Sequence, residues 1–394
     1  MRLGLSRRAR DQVVVTLLAF LTALIISSIL IAVADPKTRT AMGYFFQYPW
    51  DTFTYGWAAI ENTYRALFEG AIFNPTTARN GTAAGYLNPI SETLTYAAPL
   101  IAGGLGIALA FRAGLFNIGG QGQILAAAAA AGFVGFHWHM PVVIHLIAAL
   151  IAGIVGGAVW GGIAGWLKAR TGAHEVITTI MLNYIAIGLL NYLLQTKGFQ
   201  DGSSGQSISY PIESNAQLPL LFGNPMRVNL GIILAVLAAF FVWWLMKHSR
   251  LGFRLRAVGA NPLAARTAGM DVRGSYLTVM LLSGALLGLA GAFQILGTNF
   301  AVTSDVDGGV GFDAITVALL GRANPWGTVA AGILFGALHA GSANMQQYTP
   351  IDIVQIVQGL IVLFVAAPAA IRAIYRIKAR GDSSGVELAK GWNG

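Results

Sequence analysis

Residues 13–34 run for 22 positions without a charged side chain, directly after Arg2, Arg7, Arg8 and Arg10. About 20 apolar residues span the hydrocarbon core of a bilayer as a helix. Charge-poor runs recur near 89–110, 114–136, 141–167, 175–195, 229–246, 274–297, 309–321, 326–343 and 351–367. Only 10% of the 394 residues are charged and 55% are hydrophobic; a soluble domain carries about 25% charge. This is too little charge to cover a water-facing globule, and too much apolar surface for disorder. The runs are continuous rather than alternating, which argues against a β-barrel. The 49 glycines follow no collagen period. The expected fold is an all-α polytopic membrane protein with about ten transmembrane helices.

The chain has no cysteine, so disulfides, thiolate metal sites and cysteine nucleophiles are ruled out. Ala32-Val33-Ala34 and Arg7-Arg8 resemble parts of a secretory signal, but a signal core is about 7–15 residues and this run is longer. A retained first helix is expected. An even number of spans puts both termini on one side. With those termini cytoplasmic, 19 basic residues fall inside and six outside, the six being Lys37, Arg39, Arg65, Arg79, Lys197 and Arg227. The positive-inside rule favours that orientation. The net charge of +9 thus reflects topology, and no nucleic-acid partner is expected.

Four regions are expected: a cytoplasmic stub and first span (1–34), an external segment (35–88), a core (89–368) with a basic loop at 247–273, and a cytoplasmic tail (369–394) that is polar and unstructured after 381. Within 51–73, Phe53, Trp57, Ile60, Tyr64, Leu67 and Ala71 recur at helical spacing, suggesting an amphipathic helix on the outer interface. The loop 196–228 is rich in Gly, Ser, Asn and Pro and reads as turns.

Small residues four apart (Gly157, Gly161, Gly165; Gly284, Gly288; Gly332, Gly336, Ala340) make ridges for close helix packing. Two spans are interrupted by glycine: the third at Phe116-Asn117-Ile118-Gly119-Gly120-Gln121-Gly122-Gln123, the eighth at Gly308-Gly309-Val310-Gly311-Phe312-Asp313. They are five spans apart, as in a transporter built of two pseudo-repeated halves whose broken helices flank the substrate. Purely structural turns in both halves are the other reading. Asn183, Tyr184, Asn191, Gln294, Asn299, Gln355 and Gln358 add uncharged polarity inside spans. They suit either a neutral polyhydroxy or heterocyclic ligand or hydrogen bonding between helices.

Glu92, Glu175, Asp313 and Asp352 open spans, where capping accounts for them, with Asp313 the best candidate for more. No carboxylate stands out in mid-span, which argues against ion coupling. His137, His139 and His145 lack a nearby acid in sequence, and His137-Trp138-His139 reads as an interfacial anchor rather than a metal site. His174-Glu175 has no second histidine at zinc-protease spacing, and the chain has no phosphate-binding P-loop. No catalytic residue, metal or cofactor is assigned to this chain.

The loop 254–270 reads Arg-Leu-Arg-Ala-Val-Gly-Ala-Asn-Pro-Leu-Ala-Ala-Arg-Thr-Ala-Gly-Met. Asn261 and Pro262 form a helix start, Ala264 to Ala268 continue it and Gly269 ends it. A short basic helix of this kind either docks on a partner or is a solvated loop.

The Gly-Ala-Asn-Pro-Leu-Ala-Ala-Arg-Thr-Ala-Gly-Met segment resembles the coupling-loop motif of ABC importer permeases of the branched-chain amino acid and simple-sugar type. Phe116–Gln123 resembles a motif of the nucleoside-type branch, with Gln121 where that branch usually has Glu. Segments 173–184 and 311–325 resemble further signatures of the branch, and the likeness spans roughly 89–368. The resemblance implies a translocation subunit of the inner membrane, working by alternating access. Its implied partners are a cytoplasmic ABC ATPase carrying ATP and Mg, a second homologous permease in a heterodimer, and an extracytoplasmic binding protein. It places Asn117, Gln121, Gln123, Asn183, Phe312 and Asp313 near the substrate path. It puts Arg254, Arg256, Asn261, Pro262, Ala264, Ala265, Arg266 and Gly269 at the ATPase contact. The cargo would be a nucleoside or a related neutral metabolite such as a simple sugar or purine. An ion-coupled secondary transporter is the alternative, and a membrane-embedded enzyme the third.

Overall fold

A computed structural model describes residues 7–376, so the N-terminal Arg2 and the tail beyond 376 lie outside the described residues. It is helical, and among the described residues β structure is limited to isolated bridges in the turns. Among the described residues, six helices are long and apolar enough to cross a membrane, and Val310–Leu320 and Ile351–Phe364 are shorter apolar ones. Each of the ten expected runs coincides with a helix. The chain divides into two compact units, residues 1–74 with 340–394, and residues 75–339.

In the first unit, α1 (Arg7–Ala34) is followed by α2 (Pro36–Met42) and α3 (Pro49–Ala71). The Asp35 carboxylate caps α2, accepting from the Thr38 amide at 2.8 Å. The α3 helix is amphipathic as expected, but the side it buries is small and polar: Thr52, Gly56, Thr63, Ala66 and Gly70. Phe53 and Trp57 are exposed on the other side, where an interfacial helix carries its apolar side chains. The packed side is small because the approach is close: a Cβ on Gly70 would lie 2.9 Å from Gly341 Cα.

The second unit starts with a single turn, α4 (Pro75–Ala78), and then α5 (Ala83–Arg112), α6 (Gly120–His137), α7 (Val142–Thr171) and α8 (Glu175–Leu193). Next come α9 (Gly231–His248), α10 (Arg250–Ala260), α11 (Pro262–Thr267), α12 (Val272–Gln294) and α13 (Val310–Leu320). The α14 helix (Pro325–Met345) runs across the division, and α15 (Ile351–Ala366) and α16 (Pro368–Ile374) belong to the first unit. The centre of the second unit is α5, in which every residue from Ala97 to Ala110 is buried. The 196–228 loop is a set of turns, as expected, but it is pinned: Ile212 and Leu218 donate to Phe300 O (2.8 Å) and Leu296 O (2.8 Å) at the end of α12.

The expected glycine ridges face each other. On α7, a Cβ at Gly161 would sit 2.7 Å from Met280 O, and one at Gly157 would sit 2.7 Å from Gly288 N, both on α12. No side chain separates these helices, so their backbones approach directly. Gly332 and Gly336 of α14 lie against α5 in the same manner. Gly157→Val is therefore expected to overpack the seam and cost about 1–3 kcal/mol, read as a lower unfolding midpoint in detergent. Gly188→Ala, with no heavy atom within 4 Å of the added Cβ, should leave that midpoint unchanged or raise it.

Candidate functional site

The chain leaves α5 through Gly114, whose φ of +76° suits glycine. Leu115 to Ile118 then run without helical structure before Gly119 caps α6. Backbone outside a helix must be satisfied by protein groups inside a bilayer. Three of the expected site residues supply those groups. Asn117, fully buried, donates from Nδ2 to Ser283 Oγ (2.9 Å) and accepts at Oδ1 from Gly119 N (2.9 Å). Gln123 pairs with Asn117 side chain to side chain, at 3.2 and 3.1 Å. Asn183 of α8 accepts from Gly122 N (2.8 Å) and donates to Ile118 O (3.0 Å). Thr179, which sequence reasoning overlooked, accepts from Ile118 N at 3.3 Å.

The second break is built by Gly308 and Gly309, with φ of +53° and +81°. The α13 helix that follows is 11 residues long, about 16 Å, roughly half the hydrocarbon thickness. The two breaks meet: a Cβ on Gly120 would lie 2.6 Å from Gly311 O, and one on Gly311 would strike the Gln121 backbone. Across this junction Gln121 Nε2 approaches Asp307 Oδ1 at 3.4 Å. Asp307, also absent from the sequence reading, is 2% exposed, and its Oδ2 has no hydrogen-bond partner. Gln294 Nε2 donates to the Asp307 carbonyl at 3.3 Å.

Phe312 is 51% exposed. Asp313 beside it accepts from or pairs with His339 Nε2 of α14 at 2.7 Å, and both side chains are partly exposed. The His339 ring stacks on Tyr96 of α5, with centroids 6.1 Å apart and planes 22° apart. Asp313 lies in the first turn of α13, as expected of a carboxylate that opens a span, and its contact with a histidine of α14 is what the sequence analysis did not anticipate. The pairing is not legible from local pattern because the partners are 26 residues apart. The structure thus separates the expected path residues into a buried supporting set (Asn117, Gln123, Asn183) and a more accessible set (Gln121, Phe312, Asp313).

His139 and His145 also differ from expectation, because the 213 loop brings them an acid. Glu213 lies 2.9 Å from His139 Nδ1 and 3.7 Å from buried His145 Nδ1. Among the described residues, no group of three or more His, Cys, Asp or Glu could hold a metal ion.

The basic loop is two helices, with α10 an addition to the expected short one. Ser249 Oγ caps α10 by accepting from Gly252 N at 2.9 Å. Asn261 Oδ1 caps α11 by accepting from Ala264 N at 3.0 Å, Pro262 takes the first turn, and Gly269 follows with φ +78°. Ala265 is buried with Val258 and Val272, which roots the helix. Pro262, Ala264 and Arg266 are exposed, as is Leu263 at 73%, an apolar tip not singled out in the sequence. Arg256 faces outward, whereas the Arg254 Nε is buried. Gly259 of α10 sits against the α5–α6 turn: a Cβ on Gly114 would lie 3.1 Å from Gly259 Cα.

The supporting role of Asn183 is testable. Asn183→Leu leaves Gly122 N–H and Ile118 C=O unpaired, at about 1–3 kcal/mol each, so a lower unfolding midpoint in detergent is expected. Tyr184→Phe, at a 67% exposed neighbour, should not move it.

Residues 90–366 match the family model described as branched-chain amino acid transport system / permease component. The guanosine ABC transporter permease protein NupP of Bacillus subtilis is 43% identical over 305 residues, covering 75% of this chain and 86% of that protein. The glucose ABC transporter permease protein TsgB13 of Haloferax volcanii is 35% identical, over 70% of this chain and 75% of its own length. The nucleoside ABC transporter permease protein NupB of Lactococcus lactis is 33% identical, over 72% and 81%. With the helical spans, the paired breaks and the capped basic helix in place, this chain belongs to the branched-chain amino acid transport system permease family and is a multi-pass ABC transporter permease subunit.

Proposed function

We propose that this permease moves nucleosides, or related neutral metabolites such as simple sugars and purines, into the cell by alternating access. The observation that carries the reading is the extensive identity to a guanosine permease, covering 86% of that protein. The uncharged amide and aromatic groups around the breaks are chemically suited to such cargo. Gln121, Phe312 and Asp313 are the side chains we place on the path, with Asn117, Gln123 and Asn183 holding the break in shape. No catalytic residue is assigned, and ATP with Mg belongs to a partner ATPase. That ATPase docks on the exposed face of α11, formed by Asn261, Pro262, Ala264 and Arg266, with Arg254, Arg256, Ala265 and Gly269 shaping it. A second homologous permease, as a heterodimer, and an extracytoplasmic binding protein complete the importer. Both termini face the cytoplasm of an inner membrane.

The contacts suggest how closure of the ATPase could reach the cargo. Movement of α11 passes to α10 through the Val258–Ala265 packing, from Gly259 to the Gly114 turn, and from there to the Gly120–Gly311 junction. The links are the Val258–Ala265 packing, the close approach of Gly259 to Gly114 and the short run of chain from Gly114 to Gly120, and tightly packed contacts of this kind transmit displacement.

Ion-coupled transport remains a second reading because Asp313 and His339 form an acid–base pair within the spans. In cells, uptake of labelled guanosine is expected to survive an uncoupler while ATP is maintained, and to stop when ATP is depleted. The reverse pattern would favour ion coupling. Arg266→Glu is expected to lower both uptake and co-purification of the ATPase by about tenfold or more, the effect of one opposed charge at a docking surface. Unchanged association and uptake would remove α11 from the interface.

A further inference from the structure

Two concavities adjoin at the end of the second unit that carries the basic loop. The first is lined by Arg112, Lys247 and Arg256, by Trp243 and Trp326, and by Met246. The second is an apolar groove that includes Leu109, Leu237, Phe241 and Leu286. They share Leu109 and occupy successive turns of α9, the groove at positions 237, 238 and 241 and the basic cup at 242, 243, 246 and 247.

Three features of the cup point to one kind of occupant. Arg112, Lys247 and Arg256 come from three helices, α5, α9 and α10, and none is among the ion pairs of the described residues. Arg112 is held in place by donating from Nε to Ala323 O at 3.0 Å, and Lys247 Nζ lies 5.5 Å from the Trp243 ring centroid. Tryptophan and basic side chains at helix ends occur where a bilayer meets water. The cup sits at such ends, since α5 stops at Arg112, α9 at His248, and α14 begins at Pro325.

The groove has the matching apolar character. From Lys247 back to Leu237 is about 15 Å of helix, half of a hydrocarbon core about 30 Å thick. Leu237 is 57% exposed and Phe241 46%. A ligand filling both parts needs an anionic head and an apolar tail the depth of one leaflet. A soluble anion would leave the groove empty, and an apolar helix would leave three cations without a counter-charge. We propose that this composite groove binds an anionic phospholipid, its phosphate held by Arg112, Lys247 and Arg256 and one acyl chain lying along α9. Such a lipid would bridge α5, α9 and α10, and so sit directly beneath the docking loop. Basic pockets between spans at this face of a membrane recognise lipid head groups by the same chemistry.

The test uses the purified full-length chain in detergent, with lipid retention read by native mass spectrometry. Phosphatidylglycerol and phosphatidylcholine of identical acyl chains are compared. Phosphatidylglycerol is expected to be retained at roughly tenfold lower concentration, and Lys247→Gln to weaken that retention about fivefold, the effect of removing one surface cation. Leu237→Glu, on the exposed rim of the groove, should weaken retention of both lipids. Equal retention of the two lipids would overturn the proposal, as would full phosphatidylglycerol preference in Lys247→Gln. Displacement of bound phosphatidylglycerol by millimolar inorganic phosphate would identify a soluble-anion site instead. Loss of a co-purifying second permease in Leu237→Glu, with phosphatidylglycerol retention unchanged, would assign the groove to a subunit contact.

Discussion

Gly120 and Gly311 touch backbone to backbone, and the organisation of the candidate site follows from that contact. Two non-helical stretches cannot sit inside a bilayer unless their amides and carbonyls find partners within the protein. Placing them against each other removes part of their surface from lipid, and the remaining polar groups are met by Asn117, Thr179 and Asn183 on one side. A side chain larger than hydrogen at either glycine would separate the two stretches and leave those groups short of partners. The junction therefore imposes its own residue choice on the surroundings. Amides gather there because a bent backbone needs them, and Gln121 faces Asp307 because the same contact brings the two breaks into register.

The basic loop is joined to this junction by similarly short links. Asn261 fixes where α11 begins, Ala265 fixes how deeply it sits, and Gly259 fixes α10 on the turn at Gly114. Arg266 and Leu263 project from the opposite face, where contact with another protein would not disturb the anchoring. The loop thus has a buried inner side and an exposed outer side, a division visible in residues only three or four positions apart.

How much of this could be read in advance depends on the length scale of the signal. Each of the ten helices that coincide with the expected spans was legible because it is written over ten or more residues of composition, which local exceptions do not erase. The start of α11 was legible from Asn261 and Pro262, since a cap and first turn are local chemistry. The α10 helix was not separated from the loop because Arg254 and Arg256 interrupt its apolar positions. The packed face of α3 was not legible because periodicity identifies a helix without saying which side meets protein; Gly70 makes that packing, and Phe53 and Trp57 lie away from it. The partners of His339 and of Glu213 were hidden by sequence distance. The motif at Asn117–Gln123 was found, yet its division into supporting and accessible side chains required knowing where Ser283 and Thr179 lie.

The seam between α7 and α12 has a thermodynamic consequence of its own. Most helix interfaces order rotamer-rich side chains as they form, at up to about 2 kcal/mol of lost entropy for each long one. Glycines at 157, 161, 284 and 288 have no rotamers to lose. Assembly of this seam is free of that penalty on the glycine face, and it offers no alternative side-chain arrangements into which the helices could relax. The pair is suited to move as one stiff plate, which leaves bending to turns outside the seam, among them those at Gly114 and Gly308–Gly309, whose φ angles are positive.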